Sequence, residues 1–288
     1  MLKSTATILR TAQKENLTLP EAILQLSSID TGVDASLIRK KLEERLDAML
    51  ESVADASNTE ESLRLGQIPA LSFADNAMSG KFILFASKTA IQVSKYNANM
   101  GRIVAAPTAG SCGILPGMFS AWIHFFGNDC EKCRQKLVDA LIVAAAVGEV
   151  IATRATLAGA EGGCQAECGA ASAMGSAALA YLQGGTGECC MHAAALTIKS
   201  VLGLACDPVG GIVECPCIKR NGMLVANGIL AADLALAGVK SIIPLDEVID
   251  AMKEIGQMLP PAIRETSMGG LAITPTAQKL VHNLLEGK

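Results

Sequence analysis

From residue 80 onward the chain alternates between apolar, alanine-rich stretches and glycine-rich breaks, and this alternation limits what it can become. The breaks are YNANMGRIVAAPTAGSCGILPG (96–117), AGAEGGCQAECGAA (158–171), GGTGE (184–188), ACDPVGGIVECPCIKRNG (205–222) and RETSMGGLAITPT (264–276). Glycine relaxes the backbone and proline removes a donor, so both interrupt helices and let the chain approach something closely. Joining helices requires only a few residues at a time. Five long junctions in one helical region therefore argue that several converge on one site. The segments expected to meet in one pocket are 107–113, 161–169, 206–217 and 266–271.

Between the breaks, apolar residues recur at helical spacing over 80–96, 117–126, 132–158, 169–183, 188–203, 222–238 and 245–259, and a last helix begins after Thr274-Pro275. Half of the residues are hydrophobic but only 3% are aromatic, so the core is built from small aliphatic side chains suited to closely packed helices. Short strands are expected only near 102–106 and 211–214. The fold expected is mostly α: a single helical catalytic domain over 61–288 with few or no strands, preceded by a helical segment over 1–60 that packs on the body or on a partner. In that segment Thr18, Pro20 and Glu21 form a capping-box arrangement, and a charged amphipathic helix starts near Asp34.

The net charge is -4 and no basic tract stands out, which excludes nucleic acid as the main partner. The most apolar run, 140–148, lies between Asp139 and Glu149 and is far short of the roughly 20 residues of a membrane span. The N-terminus lacks the continuous apolar stretch and cleavage site of a signal peptide, so a cytoplasmic location is expected. Ten cysteines in such a compartment are not a disulfide framework; they are buried hydrophobes, metal ligands or a mixture.

Cys164, Cys206 and Cys217 each sit in a Gly/Pro-rich loop. Three loop thiolates can hold three irons of a [4Fe–4S] cube and leave the fourth open as a Lewis acid. Spacing alone leaves zinc and simple burial open, because no common local cluster motif is present. Cys189 and Cys190 are adjacent in a helix and point to different faces. Cys130 and Cys133 flank a charged helix start and read as surface thiols. Cys112 suits a site loop or packing equally, while Cys168 and Cys215 stand close enough to the three loop thiols to replace one or supply a fourth ligand.

The blocks NANMGRIVAAPTAGSCGILPG, GAEGGCQAECGAA, CDPVGGIVECPCIKRNG and RETSMGGLAITPT, in collinear order through 70–278, resemble the α chain of the iron–sulfur-dependent L-serine dehydratases. The resemblance implies a mostly helical catalytic domain, a [4Fe–4S] cluster, and conversion of L-serine to pyruvate and ammonia without pyridoxal phosphate. It assigns the cluster to Cys164, Cys206 and Cys217, and makes Cys215 a spare buried thiol. Single-chain relatives also carry a regulatory domain, for which this chain has no room, so a separate β chain is implied, with a homo-oligomer as a further expectation. Some of those relatives end in a cysteine that can cap the fourth iron; here the end is VHNLLEGK, with no thiol.

For a substrate carboxylate, PTAGSCG supplies Thr108, Ser111 and the amides of Ala109 and Gly110 in one turn suited to an anion nest. Asn97 and Asn99 are candidates to fix the ammonium or the carboxylate. The general base is unassigned: His124, on an apolar helix after that turn, and Lys88 of FASKTA are the candidates, ahead of His192 and a solvated His282. Two readings compete, a related lyase for cysteine or another β-substituted amino acid, and a non-enzymatic iron–sulfur protein.

Overall fold

The computed structural model describes residues 2–58, 62–127 and 131–287. They form twelve α-helices: α1 (Thr5–Glu15), α2 (Leu19–Thr31), α3 (Ala35–Asn58), α4 (Gly80–Ala98), α5 (Ile114–Phe126), α6 (Glu131–Arg154), α7 (Gly159–Gly162), α8 (Ala170–Leu182), α9 (Gly187–Lys199), α10 (Cys217–Leu236), α11 (Leu245–Met258) and α12 (Pro275–Leu285). No strand occurs among the described residues, as a mostly α fold requires. No described helix is long and apolar enough to cross a membrane.

Helix α8 is the axis of the molecule. Its sequence, AASAMGSAALAYL, is almost entirely buried, with α5, α6, α9 and α10 packed around it. Small side chains on α8 let these neighbours approach closely, which is how a chain poor in aromatics still fills its interior. The two serine hydroxyls in α8 are satisfied internally: Ser172 donates to Leu224 O at 2.6 Å, and Ser176 accepts from the Thr197 hydroxyl at 2.9 Å.

Helices α1–α3 pack onto this body. Leu42, Leu46, Met49, Ser52 and Ala56 make a buried stripe on α3 against α4 and α6. Each fully buried Leu or Met there contributes roughly 1.5–3 kcal/mol. Ion pairs at the surface of the same contact, such as Arg39 with Asp139 at 2.7 Å, contribute little by comparison. Before α2 the Glu21 carboxylate accepts from the Thr18 N–H at 2.8 Å and its hydroxyl at 2.6 Å, and these bonds hold that carboxyl below its ordinary pKa.

Four boundaries differ from the sequence reading by three residues or more, one of them the end of α9 at Lys199 in place of 203. α5 starts at Ile114 because Pro116 fits within a first turn, where its missing N–H has no intrahelical role. α6 stops at Arg154, whose guanidinium turns aside to Asp250 and to Lys3 O. α10 starts at Cys217, so KRNG belongs to a helix and not to a loop. The short strands expected near 102–106 and 211–214 do not form. Val209–Gly211 is a 3₁₀ turn, and the one isolated bridge, Cys206 with Arg264, lies elsewhere.

Candidate active site

Two segments deliver the three thiols, the 161–169 segment bringing Cys164 and the 206–217 segment bringing Cys206 and Cys217 at its two ends. Cys164 precedes a π-helical turn, Gln165–Gly169, that runs into α8; such turns widen a helix locally and are frequent at functional sites. Cys206 lies in an extended stretch held on both sides, its N–H donating to Ile263 O at 2.9 Å and its carbonyl accepting from Glu265 N at 2.7 Å. Cys217 is the first residue of α10. Cys164 and Cys206 are buried, Cys217 is half-buried, and all three are free thiols.

These groups feel one another. Burial, and after it negative charge at Cys164 and Glu167, pushes the Cys217 thiol up to about 12 and the Cys206 thiol higher still. Cys164 goes the other way: a hydrogen bond with the Cys168 thiol and the Arg220 guanidinium together outweigh its burial and favour the thiolate. Cys168, wholly buried between Cys164 and the Gly110 carbonyl at 3.8 Å, stays a thiol. Among the described residues, no three Cys, His, Asp or Glu side chains close on a single metal ion. A cube asks for something else, since each iron takes its own thiolate and the thiols must ring a space. Three free thiols from two segments, with a guanidinium to offset thiolate charge, fit that group in donor type.

Arg220 and Asp207 join the loops. Arg220 donates from Nη1 to Ala205 O and from Nη2 to Asp207 Oδ1, both at 2.8 Å. The other oxygen of Asp207 accepts the Leu271 N–H at 2.8 Å, and Ser267 Oγ donates to Pro208 O at 2.6 Å. The 266–271 segment is thereby fixed to the 206–217 loop. Both members of the ion pair are largely buried, so removing either strands the other.

The 107–113 loop reaches the same place. Thr108 and Ser111 close their own turn, Thr108 N–H donating to Ser111 Oγ at 3.3 Å with the hydroxyls 3.2 Å apart. Ser111 is fully buried and Ala109 exposed, while Gly110 faces Glu167, whose Oε1 stands 3.7 Å from where a Gly110 Cβ would be. Glu167 connects this turn to the thiols: it accepts from the Thr108 hydroxyl and from Cys206 Sγ, the latter at 3.7 Å. Burial raises its carboxyl above the ordinary range and Glu265 adds to this, against the lowering by Thr108 and Cys206. The four segments touch in succession: 107–113 meets 161–169 through Gly110 O and Cys168, 161–169 meets 206–217 through Glu167 and Cys206, and 206–217 meets 266–271 through Asp207 and Leu271.

Other candidates lie elsewhere. Asn97 donates to Ala109 O at 3.2 Å, whereas Asn99 bonds Lys95 O at 3.0 Å and accepts from Ser62 N, at the end of α4. His124 stacks on Phe85 with centroids 4.5 Å apart, ten residues or about 15 Å along α5 from its start at Ile114. His124 and Lys88 line a cavity of about 390 Å³ with Asp75, between α4, α5 and the 71–80 segment. His192 accepts from Ser241 N at 3.4 Å, and His282 pairs with Glu286 at 3.0 Å at the surface. Cys215 packs beside Leu65, Val209 and Ala277, away from the thiol group. Cys112 and Cys190 are buried, Cys133 and Cys189 partly exposed, and Cys130 lies outside the described residues.

Glu167, Asp207, Arg220 and Asn221 were not singled out from the sequence. The signal for two of them was available: with a helix starting at Cys217, Arg220 and Asn221 fall three and four positions on, over the same face as that thiol.

Residues 6–272 match the family model for the serine dehydratase alpha chain. The chain is 40% identical, over 293 aligned positions covering 99% of both proteins, to the L-serine dehydratase alpha chain of Peptoniphilus asaccharolyticus. It is 48% identical over 211 positions to the probable L-serine dehydratase alpha chain of Bacillus subtilis strain 168, covering 73% of this chain and 69% of that one. It is also 34% identical over 282 positions to the L-serine dehydratase of Helicobacter pylori strain J99, covering 93% of this chain and 60% of the relative. With the match running almost end to end and the thiol-bearing loops inside it, the chain belongs to the serine dehydratase alpha-chain family.

Proposed function

We propose that this chain deaminates L-serine to pyruvate and ammonia, using a [4Fe–4S] cluster held by Cys164, Cys206 and Cys217 and working with a separate β chain in a cytoplasm that keeps its thiols reduced. The observation that carries the reading is the meeting of three free loop thiols with the Thr108–Ser111 turn around Glu167. The names of the relatives supply the substrate and, as alpha chains, the β partner. When bound, the cluster supplies a Lewis-acidic iron for the departing hydroxyl.

The chain's own residues do the rest. Ala109 and Gly110 begin a 3₁₀ turn, so their N–H groups have no acceptor within it and suit a carboxylate. The Arg220 guanidinium offsets the charge of deprotonated Cys164. Glu167 takes the Cα proton at a carboxylate oxygen, a task for which burial suits it by strengthening its hold on a proton. Loss of that proton and of the β-hydroxyl leaves an enamine, which tautomerises and is hydrolysed by water to pyruvate and ammonium.

The reading is tested by anaerobic reconstitution with iron and sulfide, with the β chain present, and assay of ammonia and pyruvate from L-serine, D-serine, L-threonine and L-cysteine. L-serine is expected to be the best substrate. Preference for L-cysteine would assign a related lyase, and no turnover of any would leave a cluster protein that is not an enzyme. Replacing Glu167 with glutamine is expected to lower kcat by about 10²–10⁴ while iron and sulfide content stay unchanged. Undiminished turnover would remove Glu167 from the proton transfer.

A further inference from the structure

Two side-chain amides from different helices grip consecutive carbonyls of one turn. Asn97, at the end of α4, donates to Ala109 O at 3.2 Å, and Asn221, in α10, donates to Gly110 O at 2.7 Å. Asn221 is fully buried, and the rest of its amide is also committed. It donates to Cys217 O at 3.0 Å, and its Oδ1 accepts the Gly113 N–H at 3.0 Å. One side chain thus ties both ends of the 110–113 segment to the backbone of a thiol-bearing residue.

A trans peptide sends its C=O and N–H to opposite sides. Holding the Ala109 carbonyl toward α4 therefore sends the Gly110 N–H the other way, and holding the Gly110 carbonyl toward α10 fixes the following peptide as well. The turn's own backbone bonds, Ser111 N–H to Thr108 O and Cys112 N–H to Ala109 O, are both long at 3.3 Å. The two amide clamps anchor it from outside, on α4 and on α10, at a glycine that would otherwise give the backbone its widest freedom.

We propose that Asn97 and Asn221 are positioning residues for the substrate carboxylate: they touch the turn and not the substrate, and by holding the Ala109 and Gly110 carbonyls they fix the two peptides on either side of Gly110 and so the direction of the Gly110 N–H. This rests on the serine reading above. It also gives Asn97 a role through the turn in place of direct contact, since its amide donates to Ala109 O.

The test uses the full chain with Asn97→Ala and, separately, Asn221→Asp. Asn97 is half-buried, so its truncation leaves the fold intact. In Asn221→Asp a carboxylate oxygen replaces the donor facing the Gly110 and Cys217 carbonyls. For Asn97→Ala the expected result is a KM for L-serine raised about tenfold, the scale of one lost hydrogen bond, with kcat within about threefold and iron and sulfide per chain unchanged. Asn221→Asp should raise KM further. A second readout needs no turnover: by equilibrium dialysis L-serine should bind the reconstituted Glu167→Gln chain, and bind it about tenfold more weakly when Asn97→Ala is added.

An unchanged KM in Asn97→Ala, or turnover falling only in proportion to lost iron, overturns the proposal. Should the wild-type chain bind L-serine yet not consume it, the serine-deaminating reading fails while weakened binding in Asn97→Ala still supports the clamp. Absence of both binding and turnover overturns both.

Discussion

Replacing Cys217 with serine is expected to abolish pyruvate formation and to leave the reconstituted protein without its iron and sulfide, while the same replacement at Cys215 spares both. The two thiols are separated by a single residue, Pro216, and have different surroundings. Cys217 opens α10 within the influence of Cys164, Glu167 and Arg220. Cys215 packs with Leu65, Val209 and Ala277 in a small satellite cluster. A serine hydroxyl is a much poorer iron ligand than a thiolate, so the Cys217 change removes one of the three anchors proposed for the cluster. The Cys215 change makes a half-buried apolar contact polar and costs on the order of 1–2 kcal/mol. Iron and sulfide counts after anaerobic reconstitution, set beside pyruvate formation, decide the matter. A cluster-free Cys215 variant with an active Cys217 variant would reverse the assignment.

What the sequence disclosed and what it hid follow from the range of the interactions involved. Helix positions were legible because a 3.6-residue period is local, and so were the loops, because glycine and proline act where they stand. The start of α10 was misread because Gly222 looked like the end of a loop, whereas it lies inside a helix that Cys217 begins. That one misplacement hid Arg220 and Asn221, which share the face of Cys217 only if the segment is helical. Glu167 was concealed by its neighbours: between Cys164 and Cys168 it drew no separate notice, and a single carboxylate carries no motif. Its burial against the Thr108 turn joins segments about sixty residues apart, and no local pattern reports that. The pairing of Asp207 with the Leu271 amide is illegible for the same reason. His124 shows the converse limit. It follows the PTAGSCG turn closely in sequence, yet a helix converts ten residues into about 15 Å, and the side chain ends in another cavity.

Gly270→Ala is expected to destabilise the protein by roughly 4–6 kcal/mol, far more than a glycine-to-alanine change in an open turn. Gly270 has a φ of +61°, where an L side chain costs about 1–2 kcal/mol by itself. The larger part comes from Asp207. A Cβ at 270 would overlap its Oδ2 and lie 2.9 Å from its Cβ and 3.0 Å from its Cγ, a spacing that real side chains do not tolerate. Asp207 cannot withdraw without cost, because it is buried with one oxygen on Arg220 and the other on the Leu271 N–H. Displacing it leaves the guanidinium of Arg220 in a largely buried place without its counter-charge, a loss of about 3–5 kcal/mol. Gly184 provides the comparison: its φ of +86° is equally demanding, but nothing lies within 4 Å of its would-be Cβ, so alanine there costs only the backbone strain. At about 2–4 °C per kcal/mol for a chain of this size, thermal unfolding followed by circular dichroism should fall by roughly 10–20 °C for Gly270→Ala and by a few degrees for Gly184→Ala. Equal shifts in the two variants would mean that the Asp207 contact does not govern the effect. A larger shift at 270, accompanied by loss of serine turnover, would show that the 266–271 segment acts on the thiol site through Asp207 and Arg220.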